Sequence, residues 1–374
     1  MIKQYYKQAL AQLRQHPLIS IIGIVGTALS IFLIMLVVMM QQVKVAPFSP
    51  ESNRNRFLHV HYMSISHKDW GNGTSNGPMS VQTAREVYKS LKTPEAVTVY
   101  CCMTVSTPVS LPGAPAIGAD VRETDDTFFH VFDFQFTDGK PYDEATFTAG
   151  RPVAVITESI SRALFGSIQS VGKEFLLSHA PYRVVGVVKD VSTLADMAYG
   201  QVWIPFTSTN LSNDTWSDNH MGMMSVTLLA HDREDFDEIR AEAKRRMNEY
   251  NSILADQGYT LIDRNRPYDQ ETQSISFAAN LEPDLKAACR ERVIIFIILL
   301  LVPAINLSSM TQSRLRQRVA EIGVRRAFGS TRIEMVGQIV MENLVITLLA
   351  GAIGLLISIL FAYWGTDILF AQPY

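Results

Sequence analysis

The run 18-LISIIGIVGTALSIFLIMLVVMM-40 holds 23 residues without a charge. As a helix it reaches about 35 Å, enough to cross a hydrocarbon core of about 30 Å. A chain with such a run is constrained to place it in lipid or to lose it as a leader. A leader's apolar part is shorter, roughly 7–15 residues, and ends at a small-x-small site. Here Lys44 stands two before Ala46 and Pro47 follows it, so a retained anchor is expected. Two later stretches have the same character. One is 293-VIIFIILLLVPAINLSSM-310; the other spans 335–364, with Glu342 as its one acid.

Charge orders the rest. The net charge of −3 conceals three blocks of alternating sign. Residues 1–40 carry Lys3, Lys7 and Arg14 and no acid. Residues 41–291 carry 23 basic and 32 acidic residues, and 311–334 carry six arginines against Glu321 and Glu334. Basic flanks stay in the cytoplasm. That rule places 1–17 and 311–334 inside and the acidic block outside, and three spans leave Tyr374 outside.

Period-two runs in the outer block predict strands at 56–64, 96–103, 152–157, 182–189 and 223–230. Helical spacing predicts helices at 80–91, 125–131, 158–165 and 232–253, with Ser80 as an N-cap and Asp232 with Asp235 as a capping box. The pattern is that of an α+β domain with βαβ-like units. Polar Gly/Asn/Ser-rich loops fall at 71–78 and 211–220, and the second is expected to separate two subdomains.

Little here points to catalysis. The nearest match to a phosphate loop, 166-GSIQSVGKE-174, has five residues between its glycines where four are needed. Glu174 stands where a hydroxyl should bind magnesium. A turn between helix and strand is expected instead, with no ATPase in this chain. His59 and His61 share one face of a predicted strand; a metal would need a third ligand and His67 lies across an unknown bend, so exposed strand histidines and no metal are expected. Cys101, Cys102 and Cys289 read as unpaired thiols, because adjacent cysteines pair badly and the count is odd.

Within the spans, Gly26 and Ser30 share a face, as do Ala350, Gly354 and Ser358. Small residues at this spacing allow close helix packing. Pro303 and Asn306 predict a kink, with Ser308 or Ser309 taking up freed carbonyls. Glu342 and Asn343 lie near the cytoplasmic end, where a carboxylate is interfacial or paired. Residues 283–292 are expected to be helical and continuous with the second span.

The basic stretch 319-VAEIGVRRAFGSTRIEM-335 carries more order than a charged tag needs. Val319 and Ile322, then Val324 and Phe328, have helical spacing. Glu321 precedes Arg325 by four, the favourable order for a helical ion pair. Gly329 suits the left-handed residue after a helix end, and Thr331 with Glu334 forms a capping box for the next helix. A basic amphipathic helix lying on anionic lipid is compatible with the same residues.

The segment 305–358, built around Arg318, Glu321, Ile322, Gly323, Arg325, Arg326, Ala327 and Gly329, resembles the permeases of MacB/FtsX-type ABC transporters. Ser330 stands where that family often has Ala. A second likeness, 152-PVAVITESISRALFG-166 with 171-VGKEFLLSHAPYRVVGVVKDV-191, resembles the family's periplasmic core domain. The resemblance implies a membrane protein of α-helical transmembrane segments, with a large extracytoplasmic α+β domain inserted between the first and second spans. The boundaries are a cytoplasmic 1–17, a span at 18–40, the core domain at 41–291 and a second span at 292–310. A cytoplasmic coupling region at 311–334, a third span at 335–364 and an extracytoplasmic end at 365–374 follow. The family has a fourth span, which is not found up to Tyr374.

The resemblance also implies a function. It is that of a permease half, non-enzymatic, working as a homodimer or with a paired permease in the bacterial inner membrane. It takes no cofactor, ATP and Mg being bound by a separate ABC ATPase subunit. A periplasmic partner or adaptor and membrane lipid are further expected partners, and nucleic acid is not. ATPase coupling falls to Arg318, Glu321, Ile322, Gly323, Arg325, Arg326 and Gly329. ATP-driven closure is expected to move the second-span stalk and the outer domain, in export or in another envelope process. A membrane-anchored binding or sensor protein without ATPase coupling is the alternative.

Overall fold

The stretch 56–64 forms two strands, not one. The computed structural model describes residues 17–317 and 319–365, and these fall into two compact units, 17–42 with 286–365, and Val43–Leu285. In the second unit, β1 (Phe57–Val60) ends before His61 and β2 (Met63–His67) enters another sheet. All four residues of β1 are buried, while β2 runs from buried Met63 to half-buried His67.

The strands that follow are β3 (Thr74–Gly77), β4 (Ala96–Cys101), β5 (Val105–Ser110), β6 (Ile117–Thr124), β7 (Phe136–Gly139) and β8 (Val153–Thr157). Then come β9 (Glu174–Leu177), β10 (Ala180–Val188), β11 (Val202–Pro205), β12 (Met224–Leu229), β13 (Tyr259–Ile262) and β14 (Tyr268–Asp269). The large sheet runs β11-β8-β10-β9-β5-β6-β4-β12-β1-β14, and β11 also pairs with β6. Six strands, β6, β11, β8, β10, β9 and β5, therefore close into a ring, which removes their free edges. Val121, Ile156, Phe175, Val184 and Ile204 belong to one apolar core within this group of strands.

The ring is built from the continuous stretch 105–205, inserted between β4 and β12. The subdomain boundary expected at 211–220 is thus only one of two crossings. The other is the short passage from Cys101 to Val105. On the far side of the sheet, β12 is buried at every position. Its alternate residues feed two cores: Val226 and Leu228 pack with Tyr88 and Ile239, and Leu229 with Phe57 and Phe132. The helix Phe236–Leu254 begins after Asp232 and Asp235, which form the expected capping box. Ser80 caps its helix through Thr83 N, also as expected. The small sheet is β13-β2-β3.

The motif glycine of 183-RVVGVVKD-190 has a steric role. A Cβ on Gly186 would lie 2.7 Å from the Phe136 ring and 2.9 Å from Lys140 O. Gly139, at φ 68°, would place one 2.2 Å from Val185 O. Here β7 crosses β10, and the register slips between Val187 and Val188.

In the first unit, Pro17–Val45, Leu285–Gln317 and Arg332–Leu360 are helices. Their segments Ile21–Val45, Leu285–Ser313 and Met335–Tyr363 are long and apolar enough to cross a membrane. The second helix continues through Pro303 and begins at Leu285, so 285–292 are helical as expected.

Candidate functional site

A nine-residue helix, Val319–Ala327, lies between the second and third long helices. It ends as the residues dictate. Phe328 N donates to Val324 O at 3.1 Å and Gly329 N to Arg326 O at 3.0 Å. Gly329 then turns left-handed at φ 94°, where a Cβ-bearing residue costs on the order of 1–2 kcal/mol. The next helix starts at Arg332, one residue past Thr331.

Apolar and basic side chains are both open on this element. Phe328 is 88% exposed and Ile333 84%, and Val324 and Arg326 are exposed as well. Ile322 is half-buried. Gly323 sits mid-helix, where glycine costs about 1 kcal/mol relative to alanine. A Cβ there would meet nothing within 4 Å, so packing among the described residues gives no reason for a glycine. Arg318 lies outside the described residues, as do the side chains of Glu321, Arg325 and Glu334, so the expected Glu321–Arg325 pair and the Glu334 half of the cap fall there too.

The small residues are placed where helices meet. An added Cβ on Gly354 would lie 2.7 Å from Ala28 O and 3.1 Å from Ile31. One on Gly26 would lie 2.5 Å from Asn306 Nδ2. Ser30 and Ser358 each donate to the carbonyl four residues back, Gly26 O and Gly354 O, at 2.8 Å. Glu342, Ile346, Ala350, Gly354 and Ser358 form one buried stripe, each four residues from the last. Asn306 reaches toward Gly23 O and Thr27 Oγ1 at 3.5 and 3.4 Å. The Thr311 hydroxyl lies 2.8 Å from Leu307 O and 3.1 Å from the Asn343 amide, and its one proton serves the nearer carbonyl. Glu342 accepts from Gln338 at 2.8 Å.

In the outer domain the motif residues are structural. Gly166 closes the helix Glu158–Phe165 at φ 68°, and Asp190 accepts from Ser159 N and Oγ at that helix's start. Val171 and Gly172 form the turn into β9, closed by Lys173 N donating to Ser170 O at 3.1 Å, so 166–174 joins a helix to a strand as expected. His59 and His61 face alternate residues of β12, their rings bonding Thr227 and Ser225, although β1 ends between them, and β2 carries His67 into the other sheet. Both nitrogens of His59 are engaged, by Thr227 at 3.1 Å and Gln270 at 2.9 Å. Its burial lowers its pKa to about 4 despite the Gln270 bond. Cys101 and Cys102 are buried free thiols and Cys289 is an exposed one.

Sequence reading missed one strong cluster, in 51-ESNRNR-56, which looks like a polar loop. Arg54 is buried, pairs with Glu51 at 2.6 Å, and donates to Val43 O, Ala46 O and Leu194 O. Glu51 in turn accepts from Met197 N and Ala198 N. The cluster fixes the chain as it leaves the first long helix.

Comparison with known proteins matches residues 18–246 to the family described as MacB-like periplasmic core domain, and 293–373 to the FtsX-like permease C-terminal. This chain belongs to the MacB/FtsX permease family. Among curated relatives, the uncharacterized ABC transporter permease YknZ of Bacillus subtilis is 22% identical over 244 residues, covering 63% of this chain and 55% of that one. The macrolide export ATP-binding/permease protein MacB of Burkholderia cenocepacia is 24% identical over 244 residues, covering 65% and 33%. The chain thus spans about half or less of the relatives it matches. The crystal structure of the periplasmic region of MacB from Actinobacillus actinomycetemcomitans is 19% identical, covers 54% of this chain and 88% of that one, and gives a TM-score of 0.37. For this permease family member, the candidate site is the short helix inside the FtsX-like segment.

Proposed function

We propose that this chain is a permease subunit that couples an ABC ATPase partner to movement of its extracytoplasmic domain. The observation that carries the reading is the helix Val319–Ala327. It is short, basic, stopped by a left-handed glycine, and set between two membrane-length helices. Its bare Gly323 and its exposed Val324, Arg326 and Phe328 give a partner both close backbone approach and mixed apolar and charged contact. The ATPase binds ATP and Mg. This chain supplies the docking helix, and Leu285–Gln317 carries displacement outward from the far side of the connecting segment. The basic flanks support a cytoplasmic connecting segment and an outer domain. Pairing with a second permease copy and contact with a periplasmic partner belong to the same proposal. The cargo, or the envelope process served, is set by the outer domain.

The test is co-purification of the chain with its ATPase, with ATP turnover measured in lipid. Glu321→Lys with Arg325→Glu should release the ATPase and abolish permease-dependent turnover. If the ATPase stays bound and turnover is unchanged, the coupling role is lost, and a membrane-anchored binding protein whose basic helix lies on lipid is the better description.

A further inference from the structure

A shallow, widely open cleft of about 570 Å³ lies beside the small sheet. Neither the coupling helix nor the family motifs account for it. One wall is aromatic. Trp70 and Tyr259 meet edge to face at 5.8 Å and 78°, and the His67 ring is wedged against both, 5.6 Å from Trp70 and 4.5 Å from Tyr259. Trp216 also lines the cleft. It is held in place: a Cβ on Gly77 would come within 3.1 Å of its ring, and its Nε1 donates to Ser75 Oγ at 3.0 Å. Yet Trp70 stays 40% exposed and Trp216 38%. Two fixed indoles left open to water are an unmet apolar surface.

The remaining lining is polar and hydroxyl-rich, with Ser75, Ser217 and Asp218. Ser217, Asp218 and Asn219 are consecutive left-handed residues, at φ 51°, 52° and 67°. Such strain costs on the order of 1–3 kcal/mol per residue and gathers where a ligand is held. No lysine or arginine lines the cleft, which disfavours an anion. Its single carboxylate, Asp218, can accept from ligand hydroxyls and is also the one charge in the lining that a cation could use, so choline is the competing ligand in the test. Flat apolar faces beside hydroxyl and carboxylate partners match a pyranose ring, whose C–H face stacks while its hydroxyls bond at the rim.

We propose that this cleft binds a short, uncharged oligosaccharide on the extracytoplasmic domain. The inference does not depend on ATPase coupling. The full chain in detergent micelles is titrated separately with the N-acetylglucosamine trimer, maltotriose and choline, followed by saturation transfer from protein to ligand in NMR. At least one sugar should bind saturably and more tightly than choline. Trp216→Ala should weaken it about tenfold or more, the range expected for losing a buried aromatic contact. Ser217→Ala, which leaves every ring in place, should weaken it several-fold without changing thermal unfolding. The proposal is overturned if neither sugar binds up to roughly 10 mM, where even a weak site begins to fill. It is equally overturned if choline binds more tightly than both, or if both variants bind sugar like the parent chain.

Discussion

At the scale of single residues, His59 shows how a buried polar group was misread as a surface one. On a half-exposed strand a histidine is a candidate ligand; here β1 has both faces covered, and Thr227 and Gln270 consume the ring. The consequence is a pH dependence. Burial holds the folded pKa at about 4, below its ordinary value of 6.5. Above pH 6.5 both states are neutral and His59 contributes no slope. As pH falls from 6.5 toward 4, the unfolded chain takes up the proton first, so stability drops, by on the order of 1 kcal/mol per pH unit. Thermal unfolding in detergent at pH 7 and pH 5 should therefore separate the parent from His59→Gln, whose loss over that window is smaller. Equal losses would remove His59 as the cause.

At the scale of elements, glycine positions divide sharply. Gly354 faces the Ala28 carbonyl, a backbone atom that cannot swing aside. Gly323 and Gly337 face open space. Gly354→Leu should lower the melting temperature of the detergent-solubilised chain, by an amount typical of overpacking, about 1–3 kcal/mol. Gly323→Leu should leave that temperature unchanged or raise it slightly, while weakening capture of the ATPase. A melting loss at 323, or none at 354, would reverse the assignment of packing and docking roles. The spacing of Gly26, Ser30, Ala350, Gly354 and Ser358 was readable from sequence because small side chains repeat every four residues. The partner of each face was not, since nothing in a repeat names its neighbour. The capping boxes at Ser80 and Asp232 were equally legible, being local chemistry. The ring of six strands was not: its second crossing, at 101–105, has no Gly or Pro to mark it, and closure depends on β11 meeting β6 between residues 81 apart in the chain, as Val202 is from Val121.

At the scale of the whole molecule, the order of spans and domain follows from composition and charge, and the family match covers both parts. Sidedness has a direct measurement. Cys289 is exposed at the start of the second long helix, whereas Cys101 and Cys102 are buried. A membrane-impermeant maleimide should label Cys289 in cells with a permeable outer barrier. With Cys289→Ser in place, Ser330→Cys should react only after the inner membrane is opened. Labelling of both from outside would invert or break the threading.

The ring has a consequence for biosynthesis. Its six strands come from one continuous stretch, so they can assemble as soon as residue 205 has emerged. The flanking sheet cannot. Arg56 waits for the Ala230 carbonyl, 174 residues later, and Lys44 for Gln270, 226 residues later. Until then Phe57 and Leu58, both fully buried in the finished domain, stand uncovered beside the exit of the first membrane helix. Long-range pairing of this kind is slow and exposes sticky surface. The chain order thus allows a closed ring and an unpaired apolar strand to coexist during synthesis, and it is that strand a folding helper would need to shield.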